Sequence, residues 1–221
     1  MNDLNNRNPV LLIHGIDDTT AIFKKMAYYL TGKGWYVYDL DLIPNNGDAG
    51  LDKLAEQVAK WIAKTFAPEQ QLDIVGFSMG GIVSRYYVQR LGGINRVGRF
   101  ITVSSPHNGT VTGYLRSGPG CVQMRPKSSF LADLNQDAAM LEQVNFTSIW
   151  TPYDLMIVPP TSSKMPVGRE VQVPVLGHAW MVTDRRSLDA IAIALSQPIK
   201  RDRPPEQIRD RQKSLQNDSK I

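Results

Sequence analysis

The chain is 221 residues long, with 42% apolar and 21% charged side chains and a formal net charge of +4. That length suits one α/β domain or at most two small ones, and the absence of any 18-residue apolar stretch excludes a membrane-spanning helix. A lone cysteine, Cys121, excludes an internal disulfide and fits a reducing compartment.

The opening segment, Met1 to Asn8, lacks a basic patch followed by an apolar core, so the expectation is a cytoplasmic chain as given, with secretion of a processed form left open. Val10-Leu11-Leu12-Ile13 reads as a short buried strand ending at His14-Gly15. A helix is expected from about Thr20 to Leu30, with Ile22, Phe23, Met26, Ala27 and Leu30 on one face, ended by Gly32 and Gly34. Trp35 to Leu40 is the second strand. After the loop at Pro44–Asp48, apolar residues recur from Leu51 to Phe66 at three- and four-residue steps, which is an amphipathic helix. Leu72-Asp73-Ile74-Val75 is the third strand, and a helix to about Leu91 follows, closed by Gly92-Gly93. Phe100 to Ser104 is the fourth strand. From Ser105 to about Asn145 the chain is rich in Gly, Pro and Ser and reads as irregular, with a short helix around Ser129–Leu134. Phe146–Trp150 and Val171–Val175 are the last two strands, and a final helix is expected near Asp184–Leu195.

Six strands alternating with helices imply an α/β fold: a mostly parallel six-stranded sheet with helices on both faces. There is no internal repeat. Residues 1–197 read as one domain and residues 198–221 as a charged C-terminal extension. Most of the positive excess sits in that extension, with Lys200, Arg201, Arg203, Arg209, Arg211, Lys213 and Lys220 set against Asp202, Glu206, Asp210 and Asp218. The body is nearly neutral, which argues against a nucleic-acid partner.

The motif with chemistry in it is Gly76-Phe77-Ser78-Met79-Gly80, placed between the third strand and the next helix. G-x-S-x-G arises by chance about 0.1 times in a chain of this length, so its context decides. Strand before and helix after is the context that the chemistry requires, because a sharp turn there exposes Oγ above the sheet and leaves little room for a Cβ two residues to either side. Ser78 is therefore the candidate nucleophile.

A serine needs a base, and the base needs an anchor. Reactive groups in such a sheet lie at the carboxyl ends of strands. His178, after the last strand, is the best-placed base; His107 and His14 also follow strands and are the alternatives. Asp154, in the turn after Trp150, is the best-placed acid, ahead of Asp133, Asp137 and Asp184, which read first as helix-terminal residues. An oxyanion hole needs two backbone donors: the N–H of Met79, next to the nucleophile, and one from the loop after the first strand, for which Ile16 is chosen. No H-E-x-x-H or Cys/His cluster is present, so no metal and no cofactor are expected.

Together, Asn8-Pro9-Val10-Leu11-Leu12-Ile13-His14-Gly15-Ile16, Val75-Gly76-Phe77-Ser78-Met79-Gly80-Gly81, Tyr153-Asp154-Leu155-Met156-Ile157-Val158 and Gly177-His178 resemble the small bacterial triacylglycerol lipases of the α/β-hydrolase superfamily, over about Asn8 to Ser196. The resemblance implies an α/β-hydrolase fold, a Ser78–Asp154–His178 triad, and oxyanion donors at Ile16 and Met79. It also implies action on medium- or longer-chain acyl esters or lipids as small-molecule substrates, with transient contact to a lipid surface. Acyl transfer or thioester hydrolysis with the same triad is the alternative. The stretch from Ser105 to Asn145 is longer than in the most compact members. Its residues 123–131 are expected either to cover the site in part or to pack as core.

Overall fold

The apolar runs become strands β1 (Val10–Ile13), β2 (Val37–Leu40), β3 (Leu72–Phe77), β4 (Val97–Val103), β5 (Asn145–Trp150) and β6 (Arg169–Gln172). The computed structural model describes residues 7–200. In it, these strands form one sheet in the order β2-β1-β3-β4-β5-β6, and every neighbouring pair is parallel. A parallel sheet covered on both faces needs apolar side chains pointing both ways from its central strands. Accordingly, β1 and β3 are buried at every position, whereas the edge strands β2 and β6 have no fully buried position.

The helices are α1 (Lys24–Thr31), α2 (Leu51–Thr65), α3 (Met79–Arg90), α4 (Pro119–Gln123), α5 (Ser129–Gln136) and α6 (Arg185–Leu195). Leu11 and Ile13 of β1 point to one side and pack with Leu54, Val58 and Ile62 of α2, Ile82 and Val83 of α3, and Leu131 and Leu134 of α5. Val10 and Leu12 point to the other side and pack with Met26 and Leu30 of α1 and Leu188, Ile191 and Leu195 of α6. The period-two alternation along β1 thus divides the core into two layers.

The topology positions the site. From β1 the chain moves outward to β2 and then crosses back to β3 on the other flank of β1. Ligands gather at the carboxyl ends of strands where the order reverses in this way. Ile13, the last residue of β1, lies in register with Gly76, so the loop after β1 and the turn containing Ser78 are side by side.

Several boundaries differ from those expected, the start of β2 at Val37 rather than Trp35 among them. The helix expected over Thr20–Leu30 begins as a 3₁₀ turn at Thr20–Phe23 and becomes α-helical only at Lys24. β4 starts at Val97 rather than Phe100, because Arg99 pairs with the buried Asp73 of β3 at 2.8 Å and so carries its charge into the sheet. β6 ends at Gln172 rather than Val175. Pro174 has no N–H for the ladder, and Val173 N–H makes the last bond, to Trp150 O at 2.9 Å. Residues 197–200 return to the amino-terminal ends of β4 and β5: Arg99 Nε donates to Gln197 O at 2.7 Å and Asn145 Nδ2 to Pro198 O at 2.7 Å. From residue 201 onward the expected charged extension lies outside the described residues.

The stretch after β4 is more ordered than its composition suggests. It contains α4, α5 and 3₁₀ turns at Val111–Tyr114 and Ala138–Gln143. Of the two roles expected for residues 123–131, packing as core is the one seen at Phe130 and Leu131, and Leu134 joins them. Leu131 and Leu134 are buried, Phe130 stacks on Tyr86 of α3 at 5.4 Å, and the buried Arg85 and Gln89 side chains both donate to Leu134 O. Leu131→Ala is therefore expected to cost about 2–4 kcal/mol of folding free energy in urea unfolding. A loss well under 1 kcal/mol would show that α5 is not part of the core.

Candidate active site

Ser78 is the one residue between the end of β3 and the start of α3, and it turns the chain with φ 54° and ψ −125°. That is a strained conformation for a non-glycine residue. The turn is possible because Gly76 lets the strand and the helix nearly touch: a Cβ there would lie 2.6 Å from Gly81 Cα and 2.8 Å from Gly80 O. Ser78 N–H donates to Val103 O at 2.9 Å, which ties the turn to β4. The hydroxyl makes no hydrogen bond among the described residues.

The loop after β1 closes on this turn. A Cβ on Gly15 would lie 2.9 Å from Ser78 Cβ and 3.4 Å from Ser78 Oγ, so only glycine allows the approach. Ile16 follows directly. Met79 is the first residue of α3, where an N–H has no partner within the helix. Met79, nominated as one oxyanion donor, adjoins Ser78 in the chain, and Ile16, nominated as the other, follows the glycine that approaches it.

Asp154 is buried in the turn after β5. Its Oδ1 accepts from Met156 N and Ile157 N at 2.9 Å each, and its Oδ2 accepts from His178 Nδ1 at 2.8 Å. Burial alone would push this carboxyl up, but the bond and charge of His178 and the two amides outweigh it and hold the group below the usual carboxylate range. An ionised carboxylate only accepts hydrogen bonds, so His178 carries its proton on Nδ1 and leaves Nε2 as a free base. The His178 ring lies 4.7 Å from the ring of Phe77, the residue before Ser78. The Oγ–Nε2 hydrogen bond itself is not made here; such bonds often tighten only with substrate in place.

The other candidates lie apart. His14 is saturated: Leu42 N–H donates to its Nε2 at 2.9 Å and its Nδ1 lies 2.8 Å from Gly15 O, so both ring nitrogens are taken up by backbone. His107 is fully buried, with Nε2 bonded to Thr102 Oγ1 at 2.9 Å. Burial first, and then the nearby Arg85 charge, lowers its pKa well below the usual imidazole value. Asp133 and Asp137 both pair with Arg90, and Asp184 caps α6 through Arg186 N. Among the described residues no three His, Cys, Asp or Glu side chains gather to hold a metal ion.

The model of the palmitoyl protein thioesterase family matches residues 9–125, more than half of the chain. This chain belongs to the palmitoyl protein thioesterase family. The matched part of this thioesterase-family protein runs from β1 through the Ser78 turn and ends before Asp154 and His178. The fold extends the likeness over the remainder. The mature form of the Bacillus licheniformis lipase BlEst2 aligns with 87% of this chain and 94% of its own, at 13% identity and a TM-score of 0.72. Aspergillus fumigatus lipase B aligns with 92% of this chain at 20% identity and a TM-score of 0.74, the aligned part being 56% of that lipase. An extracellular α/β-hydrolase from a Paenibacillus species aligns with 86% of this chain at 15% identity and a TM-score of 0.63. The family protein therefore has the α/β-hydrolase fold.

One residue at this site was not singled out from the sequence. Asp18 Oδ2 would lie 3.0 Å from the same hypothetical Gly15 Cβ that touches Ser78. In the run Ile16-Asp17-Asp18-Thr19 nothing distinguishes it from Asp17. The distinction arises from their partners: Asp17 pairs with Arg116, whereas Asp18 borders the Ser78 turn.

Proposed function

We propose that the protein is a serine acyl hydrolase that forms an acyl-enzyme on Ser78, with His178 as base and Asp154 as its anchor. The observation that supports this most is the Asp154–His178 hydrogen bond, with the carboxylate also held by two amides and the imidazole beside the strained Ser78 turn. Ser78 Oγ attacks the acyl carbonyl and His178 Nε2 takes its proton. Negative charge moves to the carbonyl oxygen, between the Ile16 and Met79 N–H groups, each worth about 10²–10³ in rate by analogy with measured oxyanion donors. Collapse expels the alkoxide or thiolate, which takes the proton from Nε2. Water then attacks the acyl-enzyme, again giving its proton to Nε2, and collapse releases the carboxylic acid and returns the proton to Oγ.

The substrate reading is an ester or thioester of a medium or long acyl chain. Large apolar side chains stand exposed on the loops that hold Asp154 and His178: Leu155 and Met156 beside the first, Leu176 and Trp180 beside the second. Thr110 and Thr112 hydroxyls both donate to Met156 O, which brings the segment bearing the exposed Leu115 to the same rim. Exposed apolar groups clustered in this way favour binding of an apolar partner, here an acyl chain or a transiently contacted lipid surface. The family match favours the thioester as a second reading.

A series of p-nitrophenyl esters from two to sixteen carbons, run beside palmitoyl thioesters, tests this. The expected result is a kcat/KM at least tenfold higher for chains of eight or more carbons than for acetate. The ester-to-thioester ratio at fixed chain length then separates the two readings. No turnover of either class would overturn the proposal.

A further inference from the structure

Asp17 and Asp18 follow the oxyanion loop and part company. Asp17 turns outward and pairs with Arg116 through two bonds of 2.9 and 2.6 Å, so that arginine is neutralised. Asp18 turns inward. A point one Cβ bond above Gly15 is 3.0 Å from Asp18 Oδ2 and 3.4 Å from Ser78 Oγ, so carboxylate and hydroxyl border the same small space. The Asp18 backbone is fixed, its carbonyl accepting from Asn45 Nδ2 at 2.6 Å. Its carboxylate has no donor among the described residues, although the residue is partly buried. Partial burial pushes this carboxyl up, and the His14 and His178 rings, when protonated, pull it back against the like charge of Asp17.

A partly buried carboxylate without a protein donor, placed beside a reaction centre that does not use it, is available to a ligand. The acyl-transfer scheme above does not use Asp18, and its negative charge opposes an oxyanion nearby. It would be compensated by a positive charge or donor that arrives with the substrate. The exposed apolar side chains stand on the loops that hold Asp154 and His178, so the other portion of the substrate, the alcohol or thiol, falls to the loop after β1, where Asp18 borders the space at Ser78 Oγ.

We infer that Asp18 is a specificity residue that selects acyl esters and thioesters whose leaving group carries a cationic ammonium group over neutral or anionic ones. The inference rests on the triad reading of this site. The acyl chain would lie on the apolar rim while the charged portion meets Asp18, and one ligand would satisfy both features.

The test keeps the acyl chain constant and varies the charge of the leaving group. Octanoyl esters of choline, of its uncharged 3,3-dimethylbutyl isostere and of an anionic sulfonatoethyl alcohol are compared on the full chain. The expected kcat/KM is about tenfold higher for the cationic than for the neutral ester, which corresponds to a modest charge–charge attraction. The anionic ester is expected to be slowest. In Asp18→Asn the three values should converge to within about twofold. The wild-type preference should also shrink as salt is raised from 0.05 to 0.5 M, a readout that needs no variant. Equal rates for cationic and neutral esters in the wild type, or a preference unchanged in Asp18→Asn, would overturn the inference while leaving the hydrolase reading intact. Failure to hydrolyse any of the three would overturn the hydrolase reading, and this inference with it.

Discussion

Ser78→Ala is expected to lower kcat by about 10⁴-fold or more while leaving the fold unchanged. The two halves of that expectation have separate grounds. The hydroxyl carries the bond-forming electron pair in the proposed scheme, and no neighbouring group is placed to substitute for it. For folding, the hydroxyl contributes little: it makes no hydrogen bond among the described residues, and alanine keeps the same φ of 54° with the same Cβ. Stability should therefore shift by about 0.5 kcal/mol or less. Ser78→Gly should in turn be more stable than the wild type by about 1 kcal/mol, because glycine relieves the positive φ. Labelling by a fluorophosphonate probe, read by intact mass, should disappear in both variants. Turnover near the wild-type rate in a clean preparation would refute Ser78 as nucleophile.

The parts of this molecule that could be read from the chain are those governed by local patterning. Continuous apolar runs marked the central strands because both faces of a parallel sheet are covered. The three- and four-residue steps from Leu51 to Ile62 marked α2 because one face of that helix meets the sheet. The glycines around Ser78 marked the turn because backbone crowding there admits nothing larger. What could not be read depends on long-range partners. Arg99 looks like a strand breaker until Asp73 lies beside it. Leu131 and Phe130 look equally suited to a cover or a core until α3 places Tyr86 and Arg85 against them. Asp17 and Asp18 are chemically identical neighbours until the fold sets one against Arg116 and the other against the Ser78 turn.

The same dependence on environment separates the two histidines that the chain leaves in competition. His178→Ala is expected to lose at least 10³-fold in kcat, with a modest loss of stability because the buried Asp154 carboxylate loses its 2.8 Å partner. His107→Ala should behave the opposite way. That ring is fully buried between Thr102 and Phe146, so its removal leaves a cavity and an unpaired hydroxyl. A stability loss of about 2–4 kcal/mol is expected, with kcat largely retained below the melting transition. The pH profile adds an independent readout. Asp154 is held below the usual carboxylate range by His178 and the Met156 and Ile157 amides, so the rising limb of the profile is not its ionisation. The base acts only when its Nε2 is unprotonated. Wild-type kcat/KM should therefore rise with pH through one ionisation and then level off, because protonation at low pH removes the base. A flat profile from pH 5 to 8, or an inactive His107→Ala beside an active His178→Ala, would move the base away from His178.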